Sequence, residues 1–261
     1  MGKEENLETY IIRSMGEKKN ISLDTFKKIW LASWTVFDQL KILEDDTRFH
    51  TDVSLQSIYY CKRKGMGDIR TLDLHGPFGK FPLYNIPSSY NNSKGYWPPE
   101  YYKNQSDQQE NATIALYREA VQAERLKLSN VQSLHVDTKK ILQDHIKNDI
   151  RHVRKFAYNN PDNELDYNDA SRCIFRIDLY MWGASLLQIL SVTDIVPTGD
   201  GPLPKWVDSV LLLVSSMLRA LPRTRITVEE ARKQYQATVQ LIEKSDGEGE
   251  GPAGFPPTPE G

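Results

Sequence analysis

Residues 177–190 read IDLYMWGASLLQIL, and wound at 3.6 residues per turn they are apolar on nearly every side. A surface helix keeps one polar face. This one has none, so it belongs at the centre of the fold with other elements packed around it. On its C-terminal side a Pro/Gly loop, Pro197–Pro204, leads to a helix expected over Trp206–Leu221. A further helix opens at Ile226-Thr227, with Thr227 as N-cap and Glu230, three residues on, as its capping-box partner. On the N-terminal side of the apolar stretch lies a polar link, Asn159–Asp169. Two more helix candidates, residues 109–128 and 134–157, precede it. The second carries the stripe Leu142, Ile146, Ile150 and Val153, ringed by Lys139, Lys140, Lys147, Arg151, Arg154 and Lys155. That basic ring reads first as a solvated helix face and second as a surface for an acidic partner.

Toward the N-terminus, a short helix is expected around Leu7–Ile12. From Leu23 onward Leu23, Phe26, Ile29, Trp30, Phe37 and Leu40 recur at helical spacing, with Ser22 or Asp24 available as a cap. Residues 57–60 and 69–72 (SIYY and IRTL) read as two short strands joined by the Gly-containing turn CKRKGMGD. From Gly76 to about Pro99 the chain is rich in Gly, Pro, Ser, Asn and Tyr, with no helical period. Loops of that length inside a domain are commonly functional. The last 17 residues, SDGEGEGPAGFPPTPEG, contain five Gly, four Pro and four acids, too little apolar surface to offset the cost of ordering. No internal repeat is visible. The expected fold is mainly α with one short β-hairpin, a body over residues 1–244 and a disordered tail over 245–261.

Composition narrows the function classes. The 261 residues are 39% hydrophobic with a formal net charge of −2, so no global basic field argues for nucleic acid or an acidic membrane. Two cysteines, Cys61 and Cys173, make no disulfide framework and favour a reducing compartment. The start, MGKEENLETY, is polar where a signal peptide is apolar, and Asn6 stands where a myristoylation motif has Ser or Thr. With no secretory signal, the N-x-S/T triplets at Asn20, Asn91, Asn104 and Asn111 read as chance. The expectation is an intracellular protein, cytoplasmic or nuclear, that uses neither nucleic acid nor membrane.

The order of the short motifs then resembles the C-terminal lobe of the eukaryotic-type protein kinase family, from about Leu7 to Tyr235. The catalytic-loop pattern H-R-D-L-K-x-x-N-I-L is similar to the run His50-Thr51-Asp52-Val53-Ser54-Leu55-Gln56-Ser57-Ile58-Tyr59. About twenty residues on, Leu72-Asp73-Leu74-His75 stands where the family has D-F-G. Pro98-Pro99-Glu100 looks like A-P-E, Asp178-Leu179-Tyr180-Met181-Trp182-Gly183 resembles the family's central helix, and Arg225 precedes an I-T-x-x-E-A-like start. The resemblance implies roles. Asp52 takes the position of the carboxylate that accepts the acceptor hydroxyl's proton, and Asp73 that of a Mg²⁺ ligand. Glu100 and Arg225 take the positions of a buried structural ion pair. Asp178 stands where a carboxylate braces the backbone of the loop that begins at His50.

The departures fall on the chemistry. Ser57 replaces the Asn that ligates a second Mg²⁺, Ser54 replaces the phosphate-contacting Lys, and Thr51 replaces an Arg. Leu74-His75 replaces Phe-Gly, and His has far less backbone freedom than Gly. Residues 1–49 hold just Gly2 and Gly16, no G-x-G-x-x-G and no V-A-I-K-like strand, so the small lobe that clamps ATP is not expected in this chain. There is also an addition. Glu100 and Asp178 are 78 positions apart, against roughly a dozen in the family, which marks a helical insertion over about residues 103–168.

Three functions follow as expectations. The favoured one is a pseudokinase-like scaffold or regulator with no cofactor. It would bind protein partners through the 103–168 insertion or through the face where a small lobe would pack. The second is a divergent Ser/Thr-type kinase using Mg-ATP, whose small lobe lies upstream or on another chain. The third is an unrelated helical adaptor.

Overall fold

The computed structural model describes residues 5–17, 19–46, 50, 53–63, 66–70, 98, 108–157, 176–195 and 203–247. These form eight helices and a small antiparallel sheet. In chain order they are β1 (Glu5–Asn6), α1 (Leu7–Ser14), α2 (Leu23–Ala32), α3 (Trp34–Asp45), β2 (Tyr59–Arg63), β3 (Met66–Arg70), α4 (Gln108–Ser129), α5 (Val136–Ala157), α6 (Arg176–Ser191), α7 (Lys205–Met217) and α8 (Val228–Gly247). The mainly helical expectation holds. Among the described residues, no helix is long and apolar enough to cross a membrane.

The apolar stretch 177–190 forms α6, buried from Ile177 to Leu187 and again at Ile189 and Leu190. At Gly183 its backbone comes close to a neighbouring helix. A Cβ there would lie 2.9 Å from Cβ of Met217 and 3.3 Å from Cγ of Leu218, so glycine lets α6 and α7 touch. α8 crosses α3 and α7, and an aromatic cluster fills the junction. The Tyr235 ring centroid lies 5.2 Å from Trp30 and 5.0 Å from Phe37. Its hydroxyl sits 3.0 and 2.8 Å from the carbonyl oxygens of Trp30 and Leu31 in the last turn of α2.

Several elements differ from expectation. The periodic stretch beginning at Leu23 is two helices, because Ser33 N–H donates to Trp30 O at 2.9 Å and Ser33 Oγ to Ile29 O at 2.9 Å. A hydroxyl that competes for the preceding turn's carbonyls bends or ends a helix. Ser22, not Asp24, caps α2, accepting from Thr25 N–H at 3.1 Å. The hairpin strands, expected at 57–60 and 69–72, occupy 59–63 and 66–70, with Tyr59 opposite Arg70 and Arg63 opposite Met66. Residues 61–63 and 66–68, assigned to the turn, extend the ladder instead, and the hairpin lies against α2 and α3. The helix expected to reach Leu221 ends at Met217. A 3₁₀ turn at Pro222–Thr224 follows, since proline has no N–H to continue an α-helix. α8 runs through Ser245–Gly247, past the expected boundary at 244, and Lys27 Nζ meets Asp246 Oδ1 at 2.5 Å. The long loop before Pro98, the polar link 159–169 and the rest of the tail lie outside the described residues.

α4 and α5, within the stretch expected as an insertion, form a helical hairpin that packs on α6 and α7. Leu128, Leu134, Leu142, Ile146 and Val153 are buried, whereas Ile150 of the expected stripe is half-buried and its neighbour Asp149 is fully buried.

Candidate functional site

Of the positions singled out in the sequence, His50, Ser54, Ser57, Asp178 and Arg225 are described. Asp52, Asp73 and Glu100 lie outside the described residues, as do Thr51, Leu74 and His75.

The centre of the candidate site is the turn Val53–Ile58. Val53, Leu55 and Ile58 are buried and pull this segment into the core. Two backbone bonds then hold it to the start of α1: Leu7 N–H donates to Ile58 O at 2.7 Å and Glu8 N–H to Leu55 O at 3.0 Å. A third anchor comes from far along the chain. Asp178, in the first turn of α6 and 2% exposed, accepts from the backbone N–H of His50. A carboxylate buried at a helix N-terminus is favoured by the helix dipole, and its bond to an N–H is charge-assisted.

Within the turn, Ser54 and Ser57 satisfy each other. Ser54 N–H donates to Ser57 Oγ at 2.9 Å, Ser57 Oγ donates to Ser54 O at 3.2 Å, and Ser57 N–H approaches Ser54 Oγ at 3.4 Å. Both side chains are buried. Their hydroxyls therefore close a turn and face away from solvent, which does not fit a metal or phosphate ligand at either position. Arg225, 2% exposed, is likewise held by backbone. Nε donates to Arg219 O at 3.1 Å, Nη1 to Arg176 O at 3.1 Å, and its guanidinium lies 4.8 Å from the Tyr180 ring centroid.

A second polar cluster escaped the sequence reading. Asp149 of α5 accepts from Arg125 Nη1 at 3.0 Å on one oxygen, and from Arg219 Nε at 3.1 Å and Ala220 N–H at 3.3 Å on the other. Arg125, on α4, also donates to Gln122 Oε1, Leu218 O and both oxygens of Ser215. Desolvation lowers the pKa of Arg125 from its usual value, and Asp149 opposes that shift. The cluster clamps the α4–α5 hairpin to the end of α7. One signal existed in the sequence: Asp149 falls on the apolar side of the α5 stripe, where an acid needs a buried partner. Nothing there named Arg125 or Arg219 as that partner. Among the described residues, no group of three or more His, Cys, Asp or Glu is placed to hold a metal ion.

Compared with protein-family models, with curated proteins and with solved structures, the chain matches none.

Proposed function

We propose that this chain is a kinase-like C-lobe that does not transfer phosphate and acts as a scaffold or regulator by protein–protein contact. One observation carries the reading: Ser54 and Ser57, at the positions of a phosphate-contacting Lys and a metal-binding Asn, spend their hydroxyls on their own buried turn. The bond from His50 N–H to Asp178 supports a loop kept in place while its reactive groups changed. Phosphoryl transfer rests on positioning and charge neutralisation, and two inward hydroxyls supply neither. Partners would dock on the outer face of the α4–α5 insertion or where a small lobe would pack, inside a reducing cell compartment.

The test is a thermal-shift titration with Mg-ATP. No saturable rise in melting temperature is expected, and one appearing at sub-millimolar ATP would overturn the proposal, because a ligand of the native state stabilises it by mass action. In the same assay Asp52→Asn leaves the melting curve with ATP unchanged. Loss of an ATP-dependent rise in that variant would instead favour the divergent kinase.

A further inference from the structure

The inserted hairpin meets α7 across a cluster with two guanidiniums, Arg125 and Arg219, and one buried carboxylate, Asp149. A further titratable group faces it. His145, one turn before Asp149 on α5, places Nδ1 3.3 Å from Ser215 Oγ. That oxygen already accepts from Arg125 Nη2 at 2.7 Å, which leaves its own proton free to point at His145. An imidazole that accepts at Nδ1 and carries its proton on Nε2 matches this arrangement, and such an imidazole is neutral. We propose that His145 is a proton-sensitive latch: neutral, it completes the attachment of the α4–α5 hairpin to α7, and protonated, it loosens that attachment.

The charges around it set the direction. Arg125 faces it from α4 and Arg219 from the segment after α7. Its own helix supplies Asp149 and Asp144, and His152 follows two turns later on the same face. Asp149 already divides its oxygens among Arg125, Arg219 and Ala220 N–H, and Asp144 is exposed, where water screens it. A proton on His145 therefore adds a third cation beside two guanidiniums without adding an acceptor. Burial first, then the two arginines, hold its pKa below the ordinary 6.5. In the undocked chain the imidazole takes its proton near 6.5; in the docked hairpin it does so at lower pH. Its contribution is complete above the undocked value and is lost as pH falls through the docked one. One proton limits the effect to about tenfold in the docking equilibrium per pH unit. The latch needs only the hairpin's contacts and stands apart from the kinase-like reading.

Two measurements on the full chain test it. An NMR titration resolving the His145 ring is expected to give a midpoint below 6.5; a midpoint at or above that value overturns the latch. Hydrogen-exchange protection of α5 amides, compared with α8 amides in the same sample between about pH 7.5 and 5.5, is expected to fall by up to about tenfold per pH unit. That selective fall should vanish in His145→Asn and His145→Gln. An equal fall in wild type and variants would sink the idea, and if neither variant folds, the wild-type titration decides alone.

Discussion

Two buried polar places in this molecule solve the same problem in opposite ways. In the turn Val53–Ile58, two neutral hydroxyls three residues apart satisfy each other and their own backbone. At the hairpin interface, full charges from three separate segments converge, with Arg125 and Asp149 24 positions apart and Asp149 and Arg219 70 apart. The bonds between Ser54 and Ser57 are local, and losing one removes a modest contribution. The charge cluster exists because the whole fold assembles it, and losing one member strands another in a desolvated place.

The largest expected effect tests that contrast directly. Arg125→Ala leaves Asp149 buried without its closest partner and should cost about 3–5 kcal/mol, read as a lower urea midpoint at unchanged slope. Replacing Arg125 and Asp149 together by Met and Leu should cost less than Arg125→Ala alone, because the fully buried carboxylate leaves with its partner and Arg219, the charge that remains, reaches solvent. The opposite ranking would break the comparison. Asp178→Ala, which removes the carboxylate from His50 N–H, should cost about 1.5–3 kcal/mol by the same measurement. Gly183→Ala pushes a methyl group against Met217 and Leu218. It should destabilise by about 1–3 kcal/mol, whereas Ser185→Ala, which adds no atom and removes one hydroxyl bonded to Met181 O, should cost less. Ser57→Ala is the smallest, about 0.5–1.5 kcal/mol. If Ser57→Ala cost as much as Arg125→Ala, the local economy of the turn would be the wrong description.

The features legible in the sequence are those written within one turn. The Thr227 capping box is present as read, with Thr227 N–H donating to Glu230 Oε2 at 3.0 Å and Glu230 N–H to Thr227 Oγ1 at 3.2 Å. Ser22 caps α2, and α1, α4, α5 and α6 lie close to their expected limits. The break at Ser33 was hidden because its apolar neighbours keep the helical period on both sides. Only the direction of one hydroxyl, toward Ile29 O, splits the stretch. In the candidate site, the link from Asp178 to the start of the loop was expected from resemblance alone and spans 128 positions. The mutual bonding of Ser54 and Ser57 was not foreseen, since substitution names a residue without saying where its hydroxyl points.

By itself the sequence determined the helical character, the central place of α6 and the caps. Periodicity and capping act over three to eight residues and need no distant partner. Tertiary structure alone decided that Arg125 and Arg219 would share Asp149 and that His145 would stand beside them. Charges choose partners by distance in space, and that distance is set only when α4, α5 and α7 have packed.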